Sequence, residues 1–170
     1  MSLIYLIASL PTLQMYAASS IQPSKFCELC SEQLNHKDAT TAQALLHGIA
    51  NNHPFALAWS EKEIILRNAI AQQRAKRLNQ PYSHYLHAAT SCDLRIEALV
   101  EDAFEDANPL KREQALDEIR WLLSEELQGP DPLNINVVFA YAIKLALQTR
   151  WLTLNSMHGH EMVEKLTKIV

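Results

Sequence analysis

Cys27 and Cys30, three residues apart, are the first groups in this 170-residue chain whose types and spacing can do chemistry. A CxxC pair can exchange disulfides or supply half of a zinc site. Thioredoxin-type exchange needs a strand before the pair in a βαβ setting, and none is legible here. A zinc site needs two more ligands, for which only Cys92 and His36 offer themselves, at no recognised spacing. The plainer reading makes both thiols small core groups on one helix face, with Phe26, Gln33 and Leu34 around them. His84 and His87, and His158 and His160, are close in sequence but lack the carboxylates of metalloenzyme motifs. With 3 glycines the chain has little material for a phosphate-cradling loop, and no nucleophile elbow is present. The expectation is a protein that is not an enzyme, with no catalytic residue, no metal ligand and no cofactor.

The remaining chemistry is cationic. Ser60–Leu78 reads SEKEIILRNAIAQQRAKRL. Ser60 and Glu63 have the spacing of a capping box that would open a helix here. Arg67 and Arg74 stand one heptad apart and share a helix direction with Ala71, Ala75 and Leu78. Two guanidiniums beside alanines predict a face that something packs against closely, with a carboxylate or carbonyl as partner. Charge is segregated around this helix. Residues 61–90 hold five basic and two acidic side chains, whereas 91–128 hold four basic and eleven acidic. Internal pairing between the two regions, with the remaining charges solvated, is the simplest consequence. The row Glu97, Glu101, Glu105 is a natural docking line for the arginines. An external partner is the alternative.

The elements that must position these groups follow from composition. The chain is 48% hydrophobic, rich in Leu, Ala, Glu, Gln and Arg, and poor in β-branched runs. This predicts an all-α protein, a compact bundle of about six to eight helices forming one domain over 1–170. Residues 3–15 form a short apolar element of undetermined type. Ser24 is expected to cap a helix to Leu34, and Asp38 a second one stopped by Gly48. Asn52-His53-Pro54 opens a short helix towards Trp59, before the Ser60 helix. Tyr82–Ala89 reads as a helical turn. Asp93 opens an acidic helix with Ile96, Leu99, Val100, Ala103 and Ala107 inward. Asn108-Pro109 starts the next, which runs to Gln128. Gly129-Pro130-Asp131-Pro132 breaks the chain. Asn134 then caps an apolar central helix, and Glu161–Val170 forms a last amphipathic one.

The net charge of −4 argues against nucleic acid as a partner. The odd number of cysteines, three, argues against a secreted disulfide framework. The N-terminal apolar run has small residues after it but no Lys or Arg before Lys25, and Pro11 interrupts it, so it does not read as a secretion signal. The expected location is cytoplasmic, peripheral to the inner membrane only through partners.

Several segments taken together resemble a bacterial family known only as a domain of unknown function. They are Tyr5-Leu6-Ile7-Ala8-Ser9-Leu10-Pro11, the Ser24–Leu34 region, Leu66-Arg67-Asn68 with Arg74-Ala75, Ala140-Tyr141, Lys144-Leu145, Arg150-Trp151 and Gly159. Members of that family are typically encoded among the subunits of V-type (A/V-type) ATPases. The Leu-Arg-Asn helix and the helix carrying Tyr141, Lys144 and Arg150 look like those of the all-helical collar protein that joins the central stalk of such ATPases to the membrane rotor ring. A typical collar protein is longer, with three helical lobes, so the resemblance implies a part or a reduced version of it. It implies a non-catalytic subunit or an accessory or assembly factor of an ion-translocating ATPase. The partners would be other ATPase subunits, and Arg67, Asn68, Arg74, Tyr141, Lys144, Arg150 and Trp151 the interface or structural clamp. Two rival readings are a free-standing helical protein–protein adaptor and a small thiol or metal protein using Cys27 and Cys30.

Overall fold

The computed structural model describes residues 3–17, 20–88 and 91–154. Among them are seven α-helices, one short 3₁₀ turn and no strand: α1 (Leu3–Ser9), α2 (Pro23–Gln33), α3 (His36–His47), α4 (Pro54–Leu78), the 3₁₀ turn Ser83–Tyr85, α5 (Leu94–Glu105), α6 (Pro109–Gln128) and α7 (Asn136–Thr153). The protein is all-α, as its composition predicts. Of the N-terminal element expected over residues 3–15, only Leu3–Ser9 is helical, and its remainder after Leu10 is irregular. The expected Glu161–Val170 helix lies outside the described residues. Contacts divide the chain into two compact units, residues 50–136 and residues 1–49 with 137–170.

In the 1–49 and 137–170 unit, α1 packs on α2 and α2 on α3. Helix α2 begins at Pro23 after Gln22, which gives no side-chain cap, so Ser24 lies inside it. Asn35, rather than Asp38, caps α3: its Oδ1 accepts from the Asp38 amide at 3.0 Å. Gly48 ends α3 in the left-handed region, φ 66°, where a side chain would be strained. The central run of α7 is buried almost continuously, with Val138, Phe139, Ala140, Ala142, Ile143, Leu145, Leu147 and Gln148 out of solvent. Burial on every side is what an all-round apolar helix requires.

The 50–136 unit is built on α4, α5 and α6. The helix expected to open at Ser60 instead starts at Pro54 and runs unbroken to Leu78. His53 is its cap, Nδ1 accepting from the Phe55 amide at 3.2 Å. Pro54 is harmless in the first turn, and no breaker follows it, so the two expected helices fuse. The capping box at Ser60 therefore does not form, and the Glu63 carboxylate is left for other work. Asn79 closes α4 in the left-handed conformation, φ 49°.

Cross-helix pairs fix the directions. Glu63 meets Arg120 and Arg74 meets Glu113, so α4 and α6 run antiparallel. Arg95 meets Glu126 at 2.7 Å, and the Arg112 guanidinium lies 4.9 Å from the Phe104 ring centre, so α5 and α6 are antiparallel as well. Helices α4 and α5 must then be parallel, which obliges the chain between them to travel back along α4. The return segment does so: His87 meets Asn68, Ser91 meets Glu61, and Asp93 meets Lys62. Between the three helices sits a core of Ile65, Leu66, Ala69, Ile70, Ile96, Val100, Ala103, Phe104, Leu116, Ile119 and Leu123.

Candidate functional site

The basic stretch of α4 pairs with acidic partners on α5 and α6, but on two different faces. Lys62 and Lys76, about four turns apart, point to α5. Lys62 Nζ is 2.8 Å from Asp93 and Lys76 Nζ 3.8 Å from Glu101. Asp93 also caps α5 by accepting from the Arg95 and Ile96 amides. The hydrogen bond from Lys62 holds the Asp93 carboxyl below its ordinary range. Arg67 and Arg74 lie on the other face, towards α6. The expected docking of these arginines on the Glu97, Glu101, Glu105 row is therefore not what is found. Arg67 Nε donates to Glu63 on its own helix at 3.0 Å, and Arg74 is 3.6 Å from Glu113 of α6.

Beneath this face is a buried brace. Arg120 of α6 sends Nε and Nη2 to both Glu63 oxygens at 3.1 Å and Nη1 to Asp117 at 2.8 Å. The three side chains, Arg120, Glu63 and Asp117, are 17%, 14% and 0% exposed. Burial works against the guanidinium charge, but the Glu63 and Asp117 carboxylates outweigh it and raise the Arg120 pKa above its ordinary value. The inner arginine is thus saturated by carboxylates. The outer two, each 62% exposed, are not: among the described residues, Arg67 engages Glu63 through Nε, and Arg74 makes its long contact with Glu113.

Arg67 and Arg74, with Ala71, Ala75 and Leu78, form one wall of a cavity of about 450 Å³. Helix α6 supplies the opposite wall through Glu113, Leu116 and Arg120, and the return segment supplies Gln80, Tyr85 and His87. Asn68 holds that segment in place. Its side-chain Nδ2 donates to the His87 carbonyl and its Oδ1 accepts from the His87 amide, both at 2.9 Å, as a strand neighbour would. This pair of hydrogen bonds explains why an asparagine stands between the arginine and the core-facing Ala69. Replacing Asn68 by alanine removes two exposed hydrogen bonds, each worth about 0.5–1.5 kcal/mol. The expected result is faster amide hydrogen exchange confined to residues 80–88, with α4 and α6 protected as before; unchanged exchange there would contradict the clamp.

The second group of expected site residues, Tyr141, Lys144, Arg150 and Trp151, lies in the other unit. Tyr141 stacks on Phe26, ring centres 5.5 Å apart, and its hydroxyl donates to the Pro11 carbonyl at 2.9 Å. Burial pushes the phenol up to about 12. One heptad on, Gln148 Nε2 donates to the Gln14 and Ala17 carbonyls at 2.7 and 3.2 Å. These two side chains satisfy carbonyls of the irregular 11–17 segment. Arg150 lies over the Trp151 ring at 5.7 Å, and Tyr16 meets Trp151 edge-on at 5.8 Å. Lys144 is half-buried on the same helix.

Cys30 is fully buried on α2, and burial, followed by the nearby Cys27, pushes its thiol up to about 12. Cys27 is raised as well, again by burial; Cys92 is raised by its hydrogen bond to Glu97 at 3.1 Å, but it is exposed where Cys30 is buried. Among the described residues no three His, Cys, Asp or Glu side chains gather as a metal would need. At pH 8 a thiol with a pKa near 12 is about one part in ten thousand ionised. Iodoacetamide at pH 8 should therefore label Cys92 first and Cys30 last in the native protein. Mass spectrometry of time points checks the order, and early labelling of Cys30 would contradict its burial.

Sequence reasoning singled out Arg67, Asn68, Arg74, Ala71, Ala75 and Leu78, and all belong to the cavity or its clamp. It missed Arg120, Glu113, Tyr85 and His87. A signal for two of these was present: Glu113 and Arg120 repeat the heptad spacing of Arg67 and Arg74, with opposite sign at one position.

Residues 93–170, somewhat less than half of the chain, match a family described as a protein of unknown function, DUF2764. The match includes α5, α6 and α7, hence Tyr141, Lys144, Arg150 and Trp151, but not Arg67, Asn68 or Arg74. No curated protein and no solved structure matches the chain. Among the described residues no helix is long and apolar enough to cross a membrane.

Proposed function

We propose that this protein is a non-catalytic helical subunit or assembly factor of a V/A-type ion-translocating ATPase, resembling part of the collar between central stalk and rotor ring. The observation that carries the proposal is the placement of the segments on which the resemblance rests. Leu66-Arg67-Asn68 and Arg74-Ala75 meet the return segment and α6 at one cavity, and Tyr141 ties α7 to the N-terminal segment. The family match over 93–170 supports a domain of unknown function in that half, and the ATPase setting comes from the resemblance. In this role the chain acts through packed helices and fixed geometry, without bond chemistry of its own. It reaches the inner membrane through its neighbours, on the cytoplasmic side.

Loss of the protein should then lower the amount of assembled ATPase in native membranes, or uncouple ATP hydrolysis from ion transport. Membranes from a deletion strain, compared with the parent for assembled complex and for ATP-driven ion uptake, test this. Unchanged assembly together with unchanged coupling would refute the reading.

A further inference from the structure

We infer that the cavity walled by α4, α6 and the return segment is a docking site for an acidic, partly apolar polypeptide segment of a partner protein. The inference rests on the proposed role as a protein-binding component and specifies where and what it binds. Three observations carry it.

The first is the division of the arginines. Arg120 is saturated by Glu63 and Asp117, so it braces the site and is not offered to a ligand. Arg67 and Arg74 are exposed and, among the described residues, keep their terminal nitrogens largely uncommitted. The Arg74–Glu113 contact at 3.6 Å is exposed, and pairs of this kind contribute little, so a better-placed carboxylate can replace Glu113. Two guanidiniums one heptad apart suit carboxylates at matching intervals on an incoming helix.

The second is the apolar lining. Ile70, Ala71 and Ala75 of α4 and Leu116 of α6 line the cavity with apolar groups beside the arginines. A purely ionic ligand would leave that surface unused.

The third is the rim. Leu78, Tyr82, Tyr85 and Leu86 follow one another along the end of α4 and the return segment, and all four are exposed, Leu78 at 69% and Tyr85 at 66%. Leu78 and Tyr85 also line the cavity, so the apolar surface continues outwards from it. Exposed tyrosines and arginines around an apolar depression are the composition of protein-interface anchors, and a rim of this extent favours a polypeptide over a small anion.

A peptide display library of helical 16-residue segments, selected on the full chain, tests the inference. Enriched sequences should carry Asp or Glu within one helical turn of Leu, Ile, Phe or Trp. By fluorescence anisotropy a selected peptide should bind about tenfold more weakly to Arg74→Ala, and more weakly still to Arg67→Ala with Arg74→Ala, each checked for unchanged helicity by circular dichroism. Tyr85→Ala is an independent variant on the return segment and should weaken binding by a similar factor. Enrichment of peptides without acidic residues, or binding indifferent to these substitutions, would overturn the inference. So would failure of selection, with or without saturable binding of inorganic phosphate that depends on Arg67 and Arg74. None of these outcomes bears on ATPase assembly in the deletion strain, so the two readings fail separately.

Discussion

Arg120→Ala is expected to destabilise the 50–136 unit by about 3–5 kcal/mol. The guanidinium bridges two helices, taking Glu63 from α4 and Asp117 from α6, and all three groups are mostly or wholly buried. Glu63 would keep Arg67 after the substitution, but the Asp117 carboxylate, 0% exposed, would lose its guanidinium. The large effect comes from leaving buried negative charge without its cation and not from the strength of the pair as such. Hence Arg120→Met combined with Asp117→Leu should recover part of the loss, because it removes that charge along with the cation. Lysine should be a poor substitute, since one ammonium cannot reproduce the forked contacts to Glu63 and Asp117. Urea unfolding followed by far-ultraviolet circular dichroism measures all three variants. A loss below about 1 kcal/mol for Arg120→Ala would mean the triad is solvated and the brace absent.

Phe104→Ala should cost a similar amount, about 3–5 kcal/mol, for a different reason. The ring is 4% exposed at the end of the α5 stripe and belongs to the same core as Leu66, Val100 and Leu116. The guanidiniums of Arg77 and Arg112 also lie over it, at 5.2 and 4.9 Å from its centre. Truncation leaves a cavity and also takes a cation–π surface from two arginines. Phe104→Leu keeps most of the apolar volume and loses the ring face. The difference between the two variants therefore separates packing from cation–π attraction: a leucine variant within about 1 kcal/mol of the parent assigns the effect to packing.

Much of this architecture is legible in local sequence, and the reasons are specific. Asn108-Pro109 and Asp93 mark helix starts because a capping side chain precedes an apolar periodicity, and both act as caps in the structure. Gly48 and the Asn79-Gln80-Pro81 stop end helices because their backbone conformations or missing donors cannot continue them. A start at Ser60 fails because a good capping pair inside a longer helical run has no reason to cap: the Phe55–Trp59 residues already favour helix after Pro54. The caps at Gln22 and Asn35 lie two and three residues before the expected Ser24 and Asp38, a displacement that local propensity does not resolve.

The site is half legible. The Arg67–Arg74 heptad and its alanines mark a face, but nothing in α4 says which helix covers it. That depends on α4 and α5 being parallel, a consequence of a long return segment whose path is set by the Asn68–His87 clamp. Pairings between residues 57 positions apart, such as Glu63 with Arg120, carry no local signature at all. The charge segregation does predict internal pairing, and Lys62–Asp93, Lys76–Glu101 and Arg74–Glu113 realise it. It cannot predict that the two lysines take α5 and the two arginines face α6.

The most direct measurement of the functional account is affinity purification of the tagged full-length chain from native membranes, with quantitative mass spectrometry of what comes with it. The account predicts that catalytic and central-stalk subunits of a V/A-type ATPase co-purify in fixed ratio to one another, well above an untagged control. Absence of those subunits from a preparation in which the ATPase is demonstrably intact would contradict it.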